Sequence, residues 1–268
     1  MGLFERFKKK PEAGTVDNKW DMSGVEFAGA KNGEKEPLVK AVGVAEVSKA
    51  QVMQGKFQRL EDDGTSQDAS LLMPEKGIFG VFDGVGGSVG GRLASATAAN
   101  KVAELGRKHQ VRNALDLGTM LDMASFEINN TEGAGSSTGT LVKITEVDGK
   151  KMMMWTSVGD SRVYVVDNNG RASQISKDEG YENVITNALG GGGANGKRAM
   201  QAGTVLLNNG DRVVLCTDGI TGDKGTDLMS ERELGSIVGR AKTAELAAAD
   251  LLKTARKRDD RTAIVVQI

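Results

Sequence analysis

Short β-rich runs recur along this chain without a helix after each one, and that order limits the fold more than any other feature. The runs are Leu38 to Val47, Ile78 to Phe82, Thr140 to Ile144, Lys151 to Val158 and Val163 to Val166, then Thr204 to Leu207, Arg212 to Cys216 and Ala263 to Ile268. Asn169-Gly170 and Asn209-Gly210 fall between runs, and Asn-Gly accepts the positive φ of a tight turn. Helical periodicity breaks the series in two places. Arg92 to about Arg107 is Ala-rich, and Leu117, Leu121, Ala124 and Ile128 then fall at i, i+4, i+7 and i+11. Later, Ser230 and Glu233 have the spacing of a capping box. A second stripe follows at Ala244, Ala248, Leu251 and Ala255. A parallel α/β fold would alternate strand and helix strictly. This chain does not, so an α+β fold is expected, mostly antiparallel sheet with helix pairs laid outside.

At 268 residues the chain can bury a substantial core, as one large domain or two small ones. The 35 basic and 36 acidic residues nearly cancel, which leaves no electrostatic footprint for nucleic acid. Cys216 is the only cysteine, so no internal disulfide forms and a reducing compartment is compatible. No run approaches the ~18 apolar residues of a transmembrane helix. The start, Met1 to Lys10, lacks a signal-peptide core, and Arg6 stands where a myristoylation signal needs Ser or Thr. A cytoplasmic protein is expected. Residues 1–38 are polar and Gly-rich without periodicity and read as a flexible tail ahead of a domain over 39–268. Phe4, Phe7 and Lys8 to Lys10 offer a membrane or partner contact as the alternative to a solvated tail.

Three apolar runs end on or begin after Asp: Val81-Phe82-Asp83-Gly84, Leu215-Cys216-Thr217-Asp218-Gly219, and Asp259-Asp260 ahead of the last strand. Singly, each reads equally as a strand-end turn residue. Together they point to one metal site built at strand ends, with Asp68 as the nearest upstream candidate. Carboxylates with one histidine in the whole chain select Mg2+ or Mn2+ over Zn2+.

Other chemistries find less support. His109 sits in a polar helix end, which removes a Ser-His-Asp triad, and Gly159-Asp160-Ser161-Arg162-Val163 lacks the last Gly of a nucleophile elbow. Cys216 has Gly222, not Arg, six residues on, and reads as a buried apolar Cys. Gly84 to Val89 has Val where a dinucleotide fingerprint needs its third Gly. In Gly191 to Arg198, Arg198 replaces the hydroxyl of a P-loop, so a loop is the default.

With these residues in view, the chain resembles the metal-dependent protein serine/threonine phosphatases of the type 2C (PPM) family over roughly Phe57 to Ile268. The match is ordered: Ser66-Gln67-Asp68, then Val81 to Gly87, then Gly135-Ser136-Ser137-Thr138-Gly139-Thr140. Val158 to Arg162, Leu215 to Ile220 and Asp259 to Val266 complete it. The resemblance implies two antiparallel sheets stacked face to face with a helix pair outside each. It also implies two Mn2+ or Mg2+ ions, bridged by Asp83 and a water, with Gly84 giving its carbonyl oxygen. Asp218 and Asp260 would hold one ion, and Asp68 would hold or orient the other. Asp160 with Asp218 would form a third, weaker site.

The chain departs from the family pattern at several positions. Asp63 stands where an Arg often binds the phosphate, leaving Arg59 as the closest substitute. Arg261 replaces the usual Asn, Val85 replaces a His or Met, and the flap between Ser176 and Thr186 is short. The expected function is hydrolysis of phosphoserine or phosphothreonine on phosphoprotein substrates, opposing a Ser/Thr kinase. The alternative is a catalytically weak or silent regulator that binds phosphoproteins or a kinase.

Overall fold

The structure is a computed structural model that describes residues 24–26, 38–39, 41–47, 66–85, 90–181, 184–190, 200–223 and 225–268. Arg59, Asp63 and the glycine-rich 191–197 segment lie outside these residues. The strands are β1 (Gly24–Glu26), β2 (Ala41–Val47), β3 (Ala69–Met73), β4 (Ile78–Phe82), β5 (Gly139–Val147), β6 (Lys150–Val158) and β7 (Arg162–Val166). They continue with β8 (Ala172–Gln174), β9 (Gly180–Tyr181), β10 (Val184–Ile185), β11 (Gln201–Leu207), β12 (Arg212–Cys216) and β13 (Arg261–Gln267). The helices are α1 (Gly91–Lys108), α2 (Ala114–Asn129), the single turn α3 (Asp218–Thr221), α4 (Glu231–Arg240) and α5 (Ala244–Thr254).

A 6-stranded sheet orders β1-β2-β13-β12-β7-β8, and a 5-stranded sheet orders β11-β6-β5-β4-β3. Every pairing in both is antiparallel. The α+β expectation of two antiparallel sheets holds.

The period-2 alternation of side chains makes the layers. In β4, Phe79 and Val81 face an inter-sheet core with Val42, Val44, Val213, Leu215, Ile264 and Val266. Ile78 and Phe82 face the other way, against Ala98, Val102, Leu117 and Leu121 of α1 and α2. Likewise Val214, Cys216, Ala263 and Val265 pack on Leu234, Val238, Ala247 and Leu251 of α4 and α5. Strands buried on both faces read as continuous apolar runs, which is why β4 and β13 were visible in the sequence. Each fully buried Phe, Leu, Ile or Val contributes roughly 1.5–3 kcal/mol of burial. Four helices, two outside each sheet, therefore hold the strand ends rigidly.

The helix signals behave as their chemistry requires. Leu117, Leu121, Ala124 and Ile128 are all buried. The Ser230 hydroxyl accepts from the Glu233 N–H at 3.2 Å, forming one half of the capping box. The Glu233 carboxylate turns instead to Arg256. Asn169-Gly170 makes the β7–β8 hairpin, with Gly170 at φ 73. Asn209-Gly210 also turns tightly, at φ 90. It joins β11 to β12, which belong to different sheets.

One boundary differs from the sequence reading. Residues 24–26 fall in the expected tail, yet Gly24–Glu26 pairs with β2 as an edge strand. A three-residue strand is too short to leave a periodic trace, so its backbone pairing is invisible in composition. The remainder of the first 37 residues lies outside the described ones.

Candidate metal centre at the sheet ends

Antiparallel pairing alone gathers the acidic residues. Cys216 at the end of β12 pairs with Ala263 near the start of β13 and with Arg162 at the start of β7. Asp218, Asp260 and Asp160 therefore leave one end of the six-stranded sheet together. In the other sheet, Ala69 pairs with Phe82, so Asp68 and Asp83 also lie side by side.

Hydrogen bonds then join the two sheets at this end. The Thr217 and Thr262 hydroxyls donate to Asp68 Oδ2 at 2.9 and 2.8 Å. The Gln67 N–H donates to Asp260 Oδ2 at 2.8 Å. Asp68 Oδ1 is buried without a hydrogen-bond partner among the described residues. The Asp83 main chain is locked as well: its N–H donates to Thr138 Oγ1 at 2.9 Å, and its carbonyl accepts from the Thr138 N–H at 2.8 Å. The Ser137 hydroxyl adds a further bond to that carbonyl at 2.9 Å. Behind it, Thr138 and Ser161 share a hydroxyl bond of 2.7 Å, and Thr140 and Ser157 one of 2.8 Å. This buried hydroxyl network ties the strand carrying Asp83 to the turn carrying Asp160.

Two glycines permit the close approach. A Cβ on Gly84 would stand 2.5 Å from the Gly91 carbonyl carbon, and one on Gly219 would stand 1.7 Å from the Asp260 carbonyl oxygen. Gly219→Ala is therefore expected to push apart the ends of β12 and β13. Overpacking of this kind costs roughly 1–3 kcal/mol or more, read as a fall in melting temperature of several degrees. An unchanged melting temperature would contradict the packing described here.

The electrostatics are those of carboxylates crowded away from water. Burial, then the charges of Asp68 and Asp218, hold the Asp83 carboxyl well above the usual range. Burial and then Asp260 raise the Asp68 carboxyl, against the opposing effect of the Thr262 and Thr217 hydrogen bonds. Burial also pushes Asp160 up to about 6 and Asp218 up to about 7, although Lys257 pulls both down. Oxygens of Asp160, Asp218 and Asp223 all lie within 4.8 Å of one another. The Lys257 ammonium bonds to Asp218 and lies 3.0 Å from Asp223 and 3.3 Å from Asp259. Burial alone would lower this lysine's pKa, but Asp218 and then Asp259 raise it above the ordinary lysine value.

Thus Asp68, Asp83, Asp160, Asp218 and Asp260 reach one edge of the sandwich, as their strand-end positions predict. Arg59 lies outside the described residues. Thr217, Thr262, Asp223 and Lys257 were missed as site residues. Thr217 and Thr262 sit beside Asp218 and Asp260 in sequence, and a hydroxyl at each strand end was the available signal. Lys257 stands in the charged run Lys257-Arg258-Asp259-Asp260, which carries no local signal of burial.

The excluded groups are placed consistently. His109 is exposed at the end of α1. Cys216 is fully buried, and burial pushes its thiol up to about 12. Arg162 forks onto Asp178 at 2.5–3.0 Å. Arg261 turns back to the end of α5, donating to the Leu252 carbonyl at 3.1 Å and the Lys257 carbonyl at 2.7 Å.

The short flap is the hairpin β9–β10, with Tyr181 paired to Val184. Glu179 accepts from the Gly159 N–H at 3.0 Å and donates its own N–H to the Gly159 carbonyl at 3.0 Å. The flap is thereby pinned beside Asp160.

No protein of curated function matches this sequence. Among solved structures, the chain is similar to the PPM Ser-Thr phosphatase MsPP from Mycobacterium smegmatis, at 18% identity and a TM-score of 0.65, covering 86% of this chain and 99% of that one. It is also similar to serine/threonine phosphatase Stp1 from Staphylococcus aureus, at 18% identity and 0.67, covering 88% and 98%. The catalytic domain of PstP, a serine threonine protein phosphatase solved with 2 manganese ions, gives 18% identity and 0.63, covering 84% and 96%. Residues 78–268, well over half of the chain, match the family described as stage II sporulation protein E (SpoIIE). On that match the chain belongs to the SpoIIE family, and its fold is that of the PPM Ser-Thr phosphatase structures.

Proposed function

We propose that this protein is a Mn2+- or Mg2+-dependent phosphoprotein phosphatase that hydrolyses phosphoserine and phosphothreonine. The observation that carries the reading is the convergence of buried and half-buried carboxylates whose charges repel one another, with Asp68 Oδ1 unpartnered among them. An all-oxygen donor set with strongly raised carboxyls fits a hard divalent cation. Asp83 and the Gly84 carbonyl would be among the ligands of such ions. Asp218 and Asp260 would hold one, and Asp68 the other, directly or through water. The resemblance would add a third at Asp160 and Asp218, a corner that the Lys257 ammonium already contacts. Bound ions of this kind supply a water of lowered pKa and neutralise phosphoryl oxygens during in-line attack.

The chain's own residues do the positioning. Thr217 and Thr262 engage one oxygen of Asp68 and leave the other as a free acceptor. Ser137 and Thr138 fix the backbone of Asp83, so its carboxylate leaves a rigid strand end. With Arg162 committed to Asp178 and Arg261 to the Leu252 and Lys257 carbonyls, Arg59 is the proposed phosphate contact. Phosphoprotein substrates are the proposed partners, the phosphatase opposing a Ser/Thr kinase in the cytoplasm. Among the described residues, no helix is long and apolar enough to cross a membrane.

The test is turnover of a phosphothreonine peptide by purified protein with Mn2+, and with chelator instead. The expected result is hydrolysis that disappears with chelator. Folded protein that shows no turnover in Mn2+ would remove the enzyme reading.

A second reading, the weak or silent regulator of phosphoproteins or a kinase, draws on the Lys257 ammonium already bound to Asp218. Calorimetry separates the two. Two-site Mn2+ binding favours the enzyme, and no binding favours the regulator.

A further inference from the structure

Lys257 is half-buried in the acidic cluster, with 18% of its side chain exposed. Its ammonium bonds to Asp218 and sits 3.0 Å from an oxygen of Asp223. Those two residues and Asp160 form the carboxylate triangle, with oxygens within 4.8 Å of one another. A divalent ion held by that triangle would need oxygens of the same carboxylates at about 2.0–2.6 Å, where its charge would repel the ammonium. The ammonium and the ion therefore exclude each other.

The lysine is held there by its backbone as well as its charge. It lies between α5 and β13, and Arg261 Nη2 grips its carbonyl at 2.7 Å. Through Nη1 the same guanidinium holds the Leu252 carbonyl near the end of α5 at 3.1 Å. Arg261 thus clamps the connection on both sides. The residue that departs from the family pattern acts as a positioning residue for Lys257.

We propose that Lys257 is the resident cation of the Asp160–Asp218–Asp223 triangle, so that this protein takes up two divalent ions where a third would otherwise enter. The proposal rests on the metal-dependent reading of the same site. It makes Lys257 a built-in replacement for a weakly held ion, and it frees that corner of the site from the supply of free metal. The ammonium hydrogen bonds are directional and the side chain is tethered, so neutralisation at this corner does not fall as the metal is diluted.

The experiment counts bound Mn2+ by native mass spectrometry and calorimetry in wild type, Lys257→Met and Lys257→Arg. Wild type and Lys257→Arg are expected to bind two ions, and Lys257→Met three, the added one with the weakest affinity. In chelator, Lys257→Met is expected to melt several degrees below wild type, because it leaves repelling carboxylates without their cation. Mn2+ should restore more of its stability than it adds to wild type. Three ions on wild type, or two on a folded Lys257→Met, would overturn the inference while leaving the phosphatase reading intact. No ion on folded wild type would instead sink the metal-dependent reading on which it stands.

Discussion

Asp83→Asn is expected to abolish turnover while making the metal-free protein more resistant to heat. These opposite effects share one cause. Asp83 lies among Asp68, Asp218, Asp259 and Asp160, all of which push its carboxyl upwards after burial has done so. Without a bound cation its charge therefore works against the fold, and the neutral amide removes that repulsion at nearly the same volume. Each kcal/mol of repulsion relieved should raise the melting temperature by about 2–4 °C in a domain of this size. On the proposed reading the same change also deletes a metal ligand. A loss of ~4 kcal/mol in transition-state stabilisation corresponds to roughly 10³-fold in rate. Phosphopeptide kinetics in Mn2+ and thermal melts in chelator measure the two halves. Activity within tenfold of wild type would remove Asp83 from the site, and a lowered melting temperature in chelator would contradict the charge crowding.

The stability of the metal-free protein should fall as pH rises through the mildly acidic range. In the folded state Asp160 titrates at about 6 and Asp218 at about 7, against an ordinary value of 3.8. Asp68 and Asp83 are raised as well. Between 3.8 and these folded values the native chain holds protons that the unfolded chain has lost. Stability therefore decreases with pH there, by up to ~1.4 kcal/mol per pH unit for each group. Below the ordinary value the protonated carboxyls no longer distinguish the two states. A divalent cation takes over the role of the protons, so the stabilisation that Mn2+ confers should grow from about pH 5 to about pH 7. Paired melts in chelator and in Mn2+ across that range give the difference directly. A gap that stays constant or narrows with rising pH would rule out cation binding by these carboxylates.

Much of the fold was legible because it follows from local rules. Strands buried on both faces, such as β4 and β13, leave uninterrupted apolar runs. The α2 stripe and the Ser230 cap leave their own spacing. The short pieces were not legible. β1, β9 and β10 span two or three residues and are defined by what they pair with. The sequence likewise marked Asn209-Gly210 as a turn, but its role in passing the chain between sheets depends on distant partners.

The site divides in the same way. Its acidic candidates stand out in the sequence because each occupies a strand end beside a glycine or an apolar run, a pattern within a few residues. Antiparallel register then brings those ends to one edge, which a strand order can anticipate without distances. The hydroxyls of Thr217 and Thr262, the oxygen of Asp223 and the ammonium of Lys257 enter the centre from neighbours of the obvious residues. Thr262 reaches Asp68 across 194 positions of sequence, and Thr217 across 149. Whether a lysine beside two aspartates is solvated or buried depends on how Arg261 holds the backbone before β13. Composition and periodicity determined which residues carry the charge and which elements present it. Only the packing of one sheet on the other decided how those charges are balanced, because electrostatic energy depends on separation and exclusion of water, and neither is written in the order of residues.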